Sequence, residues 1–541
     1  MPDMLPEEAD YVVGGAGSAG CVVAARLSED PSVRVVLLEA GGRDRSPWIH
    51  LPVGYAKTMY HPTLSWNYET EPEPNLDNRR LIWPRGRVLG GSSALNGLIY
   101  IRGQKEDYDH WRQLGCTGWS FEDVLPCFLK SEDNERGADA LHGAGGPLAV
   151  SDLRQNDPLV ASFVEAAVQA GIPRNPDFNG PVQEGVGHPQ TTTRNGLRCS
   201  TAIAYLRPAR ARPNLAVITE AQTTSLLVED GRAAGVRLQR HGAALTVRAR
   251  REVILCGGAI NSPQLLLLSG IGPAEELRAH GIEVVRDMPG VGRNLQDHLQ
   301  TRMAFRLNRP LGLNGRKNSL FGLMGMGLEY AFTRGGPLTW SAGVANVFAR
   351  VMPGSATPDV QFHMLPFSSD KPGPDLHRFP GMTVSTCQLR PESRGTITLA
   401  SADPMAKALI HANYLATETD RRCMIEGLRL IRRIMAQPAI APLVETEHLP
   451  GAAAESDESL LAHIRATSTT IFHPAGTCRM GGDEASVVDP ELRVRGIDGL
   501  RVADASIMPT VVSGNTNAAC IMIGEKCAEM VKASARQRLA A

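Results

Sequence analysis

The chain has 541 residues, and its 56 basic and 57 acidic side chains leave a net charge of −1, which gives no indication of a nucleic-acid partner. Its length favours more than one domain. The ten cysteines include no Cys-x-x-Cys pair, and the sequence has neither a signal-peptide core nor a run of about 18 apolar residues, so we expect a reduced, cytoplasmic protein without a transmembrane segment.

The first forty residues carry the signature of a dinucleotide site. Residues 11–13 form a short apolar run that predicts a strand, and Gly15-Ala-Gly17-Ser-Ala-Gly20 turns the chain into a helix. The glycines permit a tight turn, a close approach of backbone to a pyrophosphate, and close packing of helix on strand. A second apolar run ends in Glu39, 19 residues after Gly20, where a carboxylate can accept hydrogen bonds from an adenosine ribose. This stretch predicts that the chain binds FAD or NAD.

Two later stretches place glycines ahead of an apolar segment. They are Gly86-Arg-Val-Leu-Gly-Gly-Ser-Ser-Ala-Leu-Asn96 and Gly258-Ala-Ile-Asn-Ser-Pro-Gln-Leu-Leu-Leu-Leu-Ser-Gly-Ile-Gly272. The first supplies backbone donors and a close approach to a flat or charged ligand. The second again predicts strand, turn and helix, with Pro263 at the start of the helix, where its missing N–H costs nothing.

The glycine-turn pattern stops between about residue 305 and residue 465. Alternating segments there predict antiparallel strands, and residues 420–435 predict a long helix. We therefore predict an α/β protein with a Rossmann-type cofactor domain and a second, substrate-binding domain built on an antiparallel sheet covered by helices. The predicted cofactor domain comprises residues 1–155, 200–304 and 466–541, and the substrate domain comprises residues 156–199 and 305–465.

Three further motifs lie near the carboxy terminus: His473-Pro-Ala-Gly-Thr-Cys-Arg-Met-Gly481, Asp504-Ala-Ser-Ile-Met-Pro509 and Gly514-Asn-Thr-Asn517. With the two glycine-rich stretches, they resemble the glucose–methanol–choline (GMC) oxidoreductases, and the resemblance extends over essentially the whole chain. Within that family, the sequence looks most like the bacterial alcohol dehydrogenases related to choline dehydrogenase. The resemblance implies FAD rather than NAD, and oxidation of an alcohol to a carbonyl compound by hydride transfer to the flavin.

The same resemblance implies which residues contact FAD, with Thr223 holding the adenine through its backbone. The implied contacts are Gly15, Gly17, Ser18, Ala19, Glu39, Ala40, Gly91, Asn96, Thr223, Asp504, Ala505 and Thr516. Members of the family that attach FAD covalently use a histidine directly before the asparagine of the first signature. In this chain that position is Leu95, so we expect noncovalently bound FAD.

Oxidation of an alcohol requires a base for the hydroxyl proton and a group that holds the oxygen. Histidine suits the first role because its ordinary pKa of about 6.5 lies near the working pH. By resemblance, His473 is the base, and its partner is an asparagine or a second histidine 44 residues later, which is Asn517. Asn515 is the competing candidate. We rank it below Asn517, because its spacing from His473 fits the family less well. We expect His298 to be structural and His363 to line the substrate pocket.

Other classes of function fit the sequence less well. An NAD-dependent dehydrogenase would share the first forty residues but would not need the later motifs. A noncatalytic FAD protein or an FAD lyase would tolerate loss of His473. No close group of histidines and carboxylates indicates a metal site.

The substrate and the electron acceptor are predicted from weaker signals. Ile471 and Phe472, beside the base, favour an aliphatic or aromatic primary alcohol over choline, for which an aromatic cage is the alternative. Resemblance to alkanol and sorbose dehydrogenases implies a quinone or another carrier as acceptor, with oxygen as the alternative. A quinone acceptor would place the protein peripherally on the inner face of the membrane.

Overall fold

The computed structural model describes residues 5–155, 157–370, 373 and 375–540. Within these residues, the first large sheet combines strands from the amino-terminal half with one strand from near the carboxy terminus. Its strands are Glu8–Gly14, Val35–Leu38, Leu215–Ile218, Ala221–Glu229, Arg232–Arg240, Ala243–Leu255 and Leu500–Val502.

The long strand Ala243–Leu255 joins the parallel and antiparallel parts of this sheet. Its first half pairs antiparallel with Arg232–Arg240, and its second half runs parallel beside Glu8–Gly14 and Leu500–Val502. Because the carboxyl ends of parallel strands meet at one edge of a sheet, the segments that follow these strands lie close together. These segments begin at Gly15, Glu39, Cys256 and Ala503.

A second large sheet is antiparallel at every pairing between its described strands. Its strands are Gly185–Gly187, Leu299–Leu307, Ala345–Ala349, Val360–Leu365, Gly381–Gln388, Val444–Leu449 and Thr469–Thr470. The helix Glu418–Met435 packs on the central strand Gly381–Gln388, and the hydroxyl of Thr417 caps its start by accepting from the N–H of Asp420. The predicted fold class is confirmed.

The division into domains stays a prediction, and one of its boundaries falls inside a strand. Leu299–Leu307 lies wholly in the second sheet, whereas the predicted boundary separates residue 304 from residue 305. The strand Thr469–Thr470, which we assigned to the cofactor domain, also pairs with this sheet. Apart from Gly185–Gly187, the described strands of the second sheet therefore lie between His298 and His473 in the chain.

Helices fill the connections between the strands. The α-helices are Ser18–Leu27, Pro47–His50, Tyr55–Thr58, Lys105–Gln113, Phe121–Ser131, Pro158–Gln169, Arg207–Ala209, Gly258–Leu268, Ala274–Ala279, Asn314–Lys317, Leu320–Thr333, Glu418–Met435, Asp457–Thr467 and Asn517–Ala540. Among the described residues, none of these helices combines the length and hydrophobicity needed to cross a lipid bilayer.

Candidate active site

One continuous pocket is lined by residues from both sheets. Its walls include all twelve residues predicted to contact FAD, together with His473, Asn515 and Asn517. Polar side chains of the second sheet also line the pocket, namely Gln300, Arg302, His363 and Ser385. The pocket therefore joins the predicted cofactor site to a wall built by the second sheet.

Glycines give the first sheet's end of the pocket its shape. Gly15 has a φ of +107°, and a Cβ there would lie 2.5 Å from the carbonyl oxygen of Cys256. A Cβ on Gly91 would lie 2.7 Å from the Cα of Gly17. The helix Ser18–Leu27 begins after Gly17 without a side-chain cap, so its first N–H groups are available to an anion. This cradle fits the pyrophosphate of a dinucleotide.

Glu39 stands at the end of the second strand, as predicted, and lines the pocket. Its two carboxylate oxygens accept the N–H groups of Ala16 (3.0 Å) and Gly41 (2.8 Å). Burial raises the pKa of Glu39 to about 7, although both hydrogen bonds oppose the rise. Each oxygen keeps a second lone pair, so the carboxylate can still accept from a ribose hydroxyl.

Asp504 ties the second glycine-rich stretch to the carboxy-terminal motifs. One carboxylate oxygen accepts the N–H of Gly258 (2.8 Å) and the hydroxyl of Ser262 (2.6 Å), and the other accepts the N–H of Ser506 (2.8 Å). Burial raises the pKa of this carboxyl, and its hydrogen bonds partly offset that rise. Asp504 thus organises the pocket wall in addition to lining it.

The prediction for Pro263 is wrong: the helix begins at Gly258, so the proline lies inside it. A proline there cannot donate to the carbonyl of Ala259. The hydroxyl of Thr477 donates to that carbonyl instead, at 2.7 Å. Because Thr477 belongs to the motif that begins at His473, this bond fixes the segment of His473 against the second glycine-rich stretch.

Two buried histidines form the centre of the site. His473 Nδ1 lies 3.0 Å from His298 Nδ1, and His298 Nε2 lies 2.9 Å from the carbonyl oxygen of Leu389. A carbonyl oxygen only accepts, so the Nε2–H of His298 donates to Leu389, and the Nδ1 of neutral His298 accepts from His473. The proton of neutral His473 is therefore on Nδ1, and Nε2 keeps an unprotonated lone pair.

The surroundings of these histidines disfavour positive charge. Burial lowers the pKa of His298 to about 4. Burial also lowers the pKa of His473 well below its ordinary value, and the neighbouring His298, His363 and Arg85 lower it further. Near neutral pH, His473 is a neutral base whose Nε2 is ready to accept a proton. His298 was expected to be only structural, but its contact fixes the tautomer of His473.

Backbone strain and an aspartate hold the segment that carries His473. Phe472 has a φ of +71°, an unusual value for a bulky residue, and such outliers concentrate at functional sites. Its carbonyl accepts from Arg85 (2.7 Å), and its N–H donates to the hydroxyl of Thr470 (2.7 Å). The carboxylate of Asp297 accepts the N–H of His473 at 2.7 Å.

The structure places Asn515, rather than Asn517, beside the base. Asn515 Nδ2 lies 3.2 Å from His473 Nε2, and its Oδ1 accepts from Gln361 Nε2 at 3.3 Å. Asn517 instead begins the helix Asn517–Ala540, and its Oδ1 accepts the hydroxyl of Ser18 at 2.8 Å, beside the dinucleotide cradle. The contact to His473 is thus made by the candidate that spacing ranked second, because the distance along the chain does not fix which way a turn points a side chain. The catalytic role of either asparagine stays a prediction.

Three comparisons with known proteins agree with this geometry. The GMC oxidoreductase family matches the chain over residues 9–300 with its amino-terminal part and over residues 391–524 with its carboxy-terminal part. An alcohol dehydrogenase (acceptor) of Pseudomonas putida is 47% identical over 527 residues, which cover 96% of this chain and 95% of that protein. The mitochondrial choline dehydrogenase of Mus musculus is 44% identical over 535 residues, with 97% and 90% covered. Among solved structures, pyridoxine 4-oxidase from Mesorbium loti has a TM-score of 0.87 at 32% identity, covering 96% of this chain and 98% of that chain.

The family matches confirm the predicted family, and a formate oxidase structure of Aspergillus oryzae that is described with its FAD confirms the choice of FAD over NAD. The cradle of glycines, the acceptor Glu39 and the neutral base His473 are the features of this chain that fit such a cofactor and such a reaction. The chain belongs to the GMC oxidoreductase family, whose members are FAD-dependent enzymes that act on CH–OH groups.

Proposed function

We propose that the enzyme oxidises a primary alcohol to an aldehyde, with His473 as base and Asn515 as the group that positions the alcohol oxygen. The proposal rests on one observation, the hydrogen-bonded chain from Leu389 through His298 and His473 to Asn515. When bound, FAD supplies the hydride acceptor, and the twelve predicted contact residues that line the pocket would hold it.

The amide of Asn515 is oriented for this role. Because its Oδ1 accepts from Gln361, its NH₂ group faces His473. An alcohol oxygen placed between the two side chains would accept from the amide and direct its own proton to His473 Nε2. The bond to His298 keeps the imidazole in the tautomer and orientation that this transfer needs, so the geometry is set before the substrate binds.

The pocket wall explains why FAD would be bound without a covalent link. Leu95 lines the pocket where covalently flavinylated relatives carry a histidine, and its aliphatic side chain has no atom that can bond to a flavin. FAD would therefore be held through backbone groups and hydrogen bonds alone.

Choline is the alternative substrate, since several similar proteins, including the one from Mus musculus, are named choline dehydrogenases. A quaternary ammonium would enter a pocket whose second-sheet wall carries a cation, Arg302, and no acidic side chain, although Glu39 and Asp504 line the cofactor portion. Like charges in a partly buried pocket repel strongly. This arrangement supports an uncharged or anionic alcohol over choline.

The test of the proposed reaction is anaerobic mixing of the enzyme with 1-alkanols, benzyl alcohol or choline, followed at the flavin absorbance band. We expect the first two classes to bleach the flavin, and choline to bleach it with a much lower kcat/KM. Faster bleaching by choline than by any other alcohol would contradict the proposal. Re-oxidation with a quinone analogue or oxygen completes the assay, and peroxide formed as fast as alcohol is consumed would identify an oxidase.

We propose a quinone or another carrier as the electron acceptor, which agrees with the word "acceptor" in the name of the Pseudomonas putida relative. Oxygen is the alternative, supported by the oxidase among the similar structures. All ten cysteines are unpaired, which supports the predicted reducing compartment. A lipophilic carrier would require the enzyme to reach a membrane surface.

The helix Leu320–Thr333, which we call the apolar helix, is the surface that supports peripheral membrane association. Only Met326 among its residues is buried, and Phe321 and Phe332 are 84% and 85% exposed. It carries six of the fourteen large apolar side chains exposed in the described part of the chain, so the concentration is local. Those six are Leu320, Phe321, Leu323, Met324, Leu328 and Phe332. Such a helix suits insertion into the headgroup region of a bilayer.

Charges around the apolar helix fit an anionic lipid surface. Residues 309–334 contain four basic side chains and a single acid, Glu329, which pairs with Arg316 at 2.8 Å. Each basic residue near an anionic membrane contributes about 1 kcal/mol to the free energy of membrane binding.

An exposed tryptophan lies on an element next to the apolar helix. Tyr330 on the apolar helix donates to the carbonyl of Gly196, and the adjacent Leu197–Arg198 strand packs against the helix Pro47–His50, which carries the partly exposed Trp48. Tryptophan is a favoured residue at membrane interfaces.

Sedimentation with lipid vesicles tests this surface. We expect wild-type protein to pellet with phosphatidylcholine vesicles that contain phosphatidylglycerol, less so at high salt, because exposed charges are screened. Phe321→Ser/Leu328→Ser/Phe332→Ser should abolish pelleting and leave activity with a water-soluble dye unchanged. Leu114→Ser/Val182→Ser/Leu245→Ser, at exposed positions elsewhere, is the matched control and should still pellet. If the wild type does not pellet with vesicles and is a dimer that the triple serine variant converts to a monomer, the apolar helix binds a second copy of the chain instead.

A further inference from the structure

Arg302 is a cation in the pocket without a counter-charge. It lines the pocket, yet its Nε is fully buried and has no hydrogen-bond partner, and its guanidinium makes no hydrogen bond or ion pair with the residues that the structure describes. Burial lowers its pKa. Tyr60 and Tyr55 act on the charge of Arg302, and burial raises the pKa of Tyr55 to about 12, so this phenol stays neutral. Arg302 as a whole is half-buried, and a partly buried cation without a partner is costly, so proteins normally pair it.

The register of the second sheet places two more polar groups beside Arg302. Ser385, on the central strand, pairs with Arg302 on one side and with His363 on the other, so the three residues form a row across adjacent strands. All three line the pocket. Neither ring nitrogen of His363 has a partner among the described residues, and burial lowers its pKa to about 3, so the ring is neutral with one N–H to donate. In the described structure, the N–H groups of Arg302 and His363 therefore face the pocket without a protein acceptor.

This row lies one step beyond the reaction centre. Gln300 lies two residues before Arg302 on the same strand and also lines the pocket. Across the sheet, Gln300 and Gln361 both pair with Cys387, and the amide of Gln361 donates to Asn515. Residues two apart on a strand face the same side and are separated by about 6.5–7 Å. A substrate whose hydroxyl lies between His473 and Asn515 would thus direct its opposite end toward Arg302.

We propose that Arg302, Ser385 and His363 form a binding site for an oxyanion at the far end of the substrate, so that the preferred substrates are alcohols that carry a carboxylate at the end opposite the hydroxyl. The inference rests on the proposed alcohol oxidation and names its substrate class. A guanidinium presents two parallel N–H groups that match a planar carboxylate, and the neighbouring hydroxyl and imidazole can donate to the same oxygens. An ω-hydroxyalkyl phosphate shares this chemistry and is compared directly in the test.

The test compares matched substrates that differ only at the far end: 1-alkanols, ω-hydroxyalkanoates and ω-hydroxyalkyl phosphates of equal chain length. We expect wild-type kcat/KM to be highest for the hydroxyalkanoates. Arg302→Met should lower the ratio of hydroxyalkanoate to alkanol kcat/KM by roughly 10- to 150-fold, the worth of a hydrogen bond to a charged group. Arg306→Met, an exposed arginine of the same strand that pairs with Glu445, is the matched control and should leave the ratio unchanged.

Binding of a simple alkanoate, which has no hydroxyl to oxidise, gives a readout independent of turnover. We expect hexanoate to perturb the flavin spectrum of the wild type and to bind at least tenfold more weakly to Arg302→Met, with Arg302→Lys intermediate. Equal wild-type kcat/KM for alkanol and hydroxyalkanoate would contradict the proposed oxyanion site. Equal affinity of hexanoate for the wild type and Arg302→Met would contradict it as well. A phosphate preference would assign it to phosphates. Hexanoate binding without flavin reduction by any alcohol would keep the site and overturn the proposed reaction instead.

Discussion

His473→Ala is expected to retain FAD while turnover falls by roughly 10²- to 10⁴-fold, the usual contribution of a positioned acid–base group. FAD should remain because the cradle that would hold it consists largely of backbone groups around Gly15, Gly17 and Gly91, which loss of the His473 side chain does not remove. The measurements are flavin content per chain and single-turnover bleaching by a good alcohol substrate. Acid denaturation should release yellow FAD from both variant and wild type, since Leu95 offers no covalent link.

The pH profile separates loss of the base from a general disturbance. Burial and the neighbouring histidines lower the pKa of His473, so its neutral, active form already predominates at neutral pH. For the wild type, kcat/KM should therefore be flat near neutrality and should fall only in acid, below the ordinary histidine pKa of about 6.5. His473→Ala should lose this acid limb. Near-normal turnover in His473→Ala with FAD bound would require a different base, and His363 would be tested next.

Local patterns predicted much of the fold. Val360–Leu365 is one of the antiparallel strands predicted between residues 305 and 465, and the predicted helix at residues 420–435 begins only two residues earlier, at Glu418. Both follow from side-chain periodicity, which is a property of neighbouring residues. The helix that contains Pro263 was misplaced because the group that satisfies its freed carbonyl, Thr477, is more than 200 residues away. No local pattern carries that information.

The sequence predicted the parts of the candidate site in which a motif determines the backbone conformation. It did not predict contacts between side chains that are distant along the chain. The glycine turn and Glu39 lie where their motif predicts. The role of His298 was missed because it depends on a contact across 175 residues. Arg302 gave no signal at all, since an arginine in an alternating strand is ordinary until its partners are known. The register of three strands, rather than any motif, brings it into line with His363.

Asn515→Ala is expected to lower turnover by roughly 10²- to 10³-fold, as does removal of one preorganised donor to a reacting oxygen in other enzymes. Its amide is the donor beside His473 Nε2, and Gln361 fixes its orientation. Asn517→Ala is the matched control two residues away. It removes the bond to Ser18 at the start of the first helix, so it should weaken FAD retention and change the single-turnover rate of the loaded enzyme little.

The two asparagine variants should also differ in how they respond to pH and to rescue. Asn515→Ala should keep the acid limb of the pH profile, because the base is still present, and this distinguishes it from His473→Ala. Asn515→His should recover part of the lost rate, since an imidazole N–H restores a donor beside His473. If Asn517→Ala slows the single-turnover step of fully loaded enzyme more than Asn515→Ala does, the spacing argument was right. The hydrogen bond between Asn515 and His473 would then have no part in holding the alcohol.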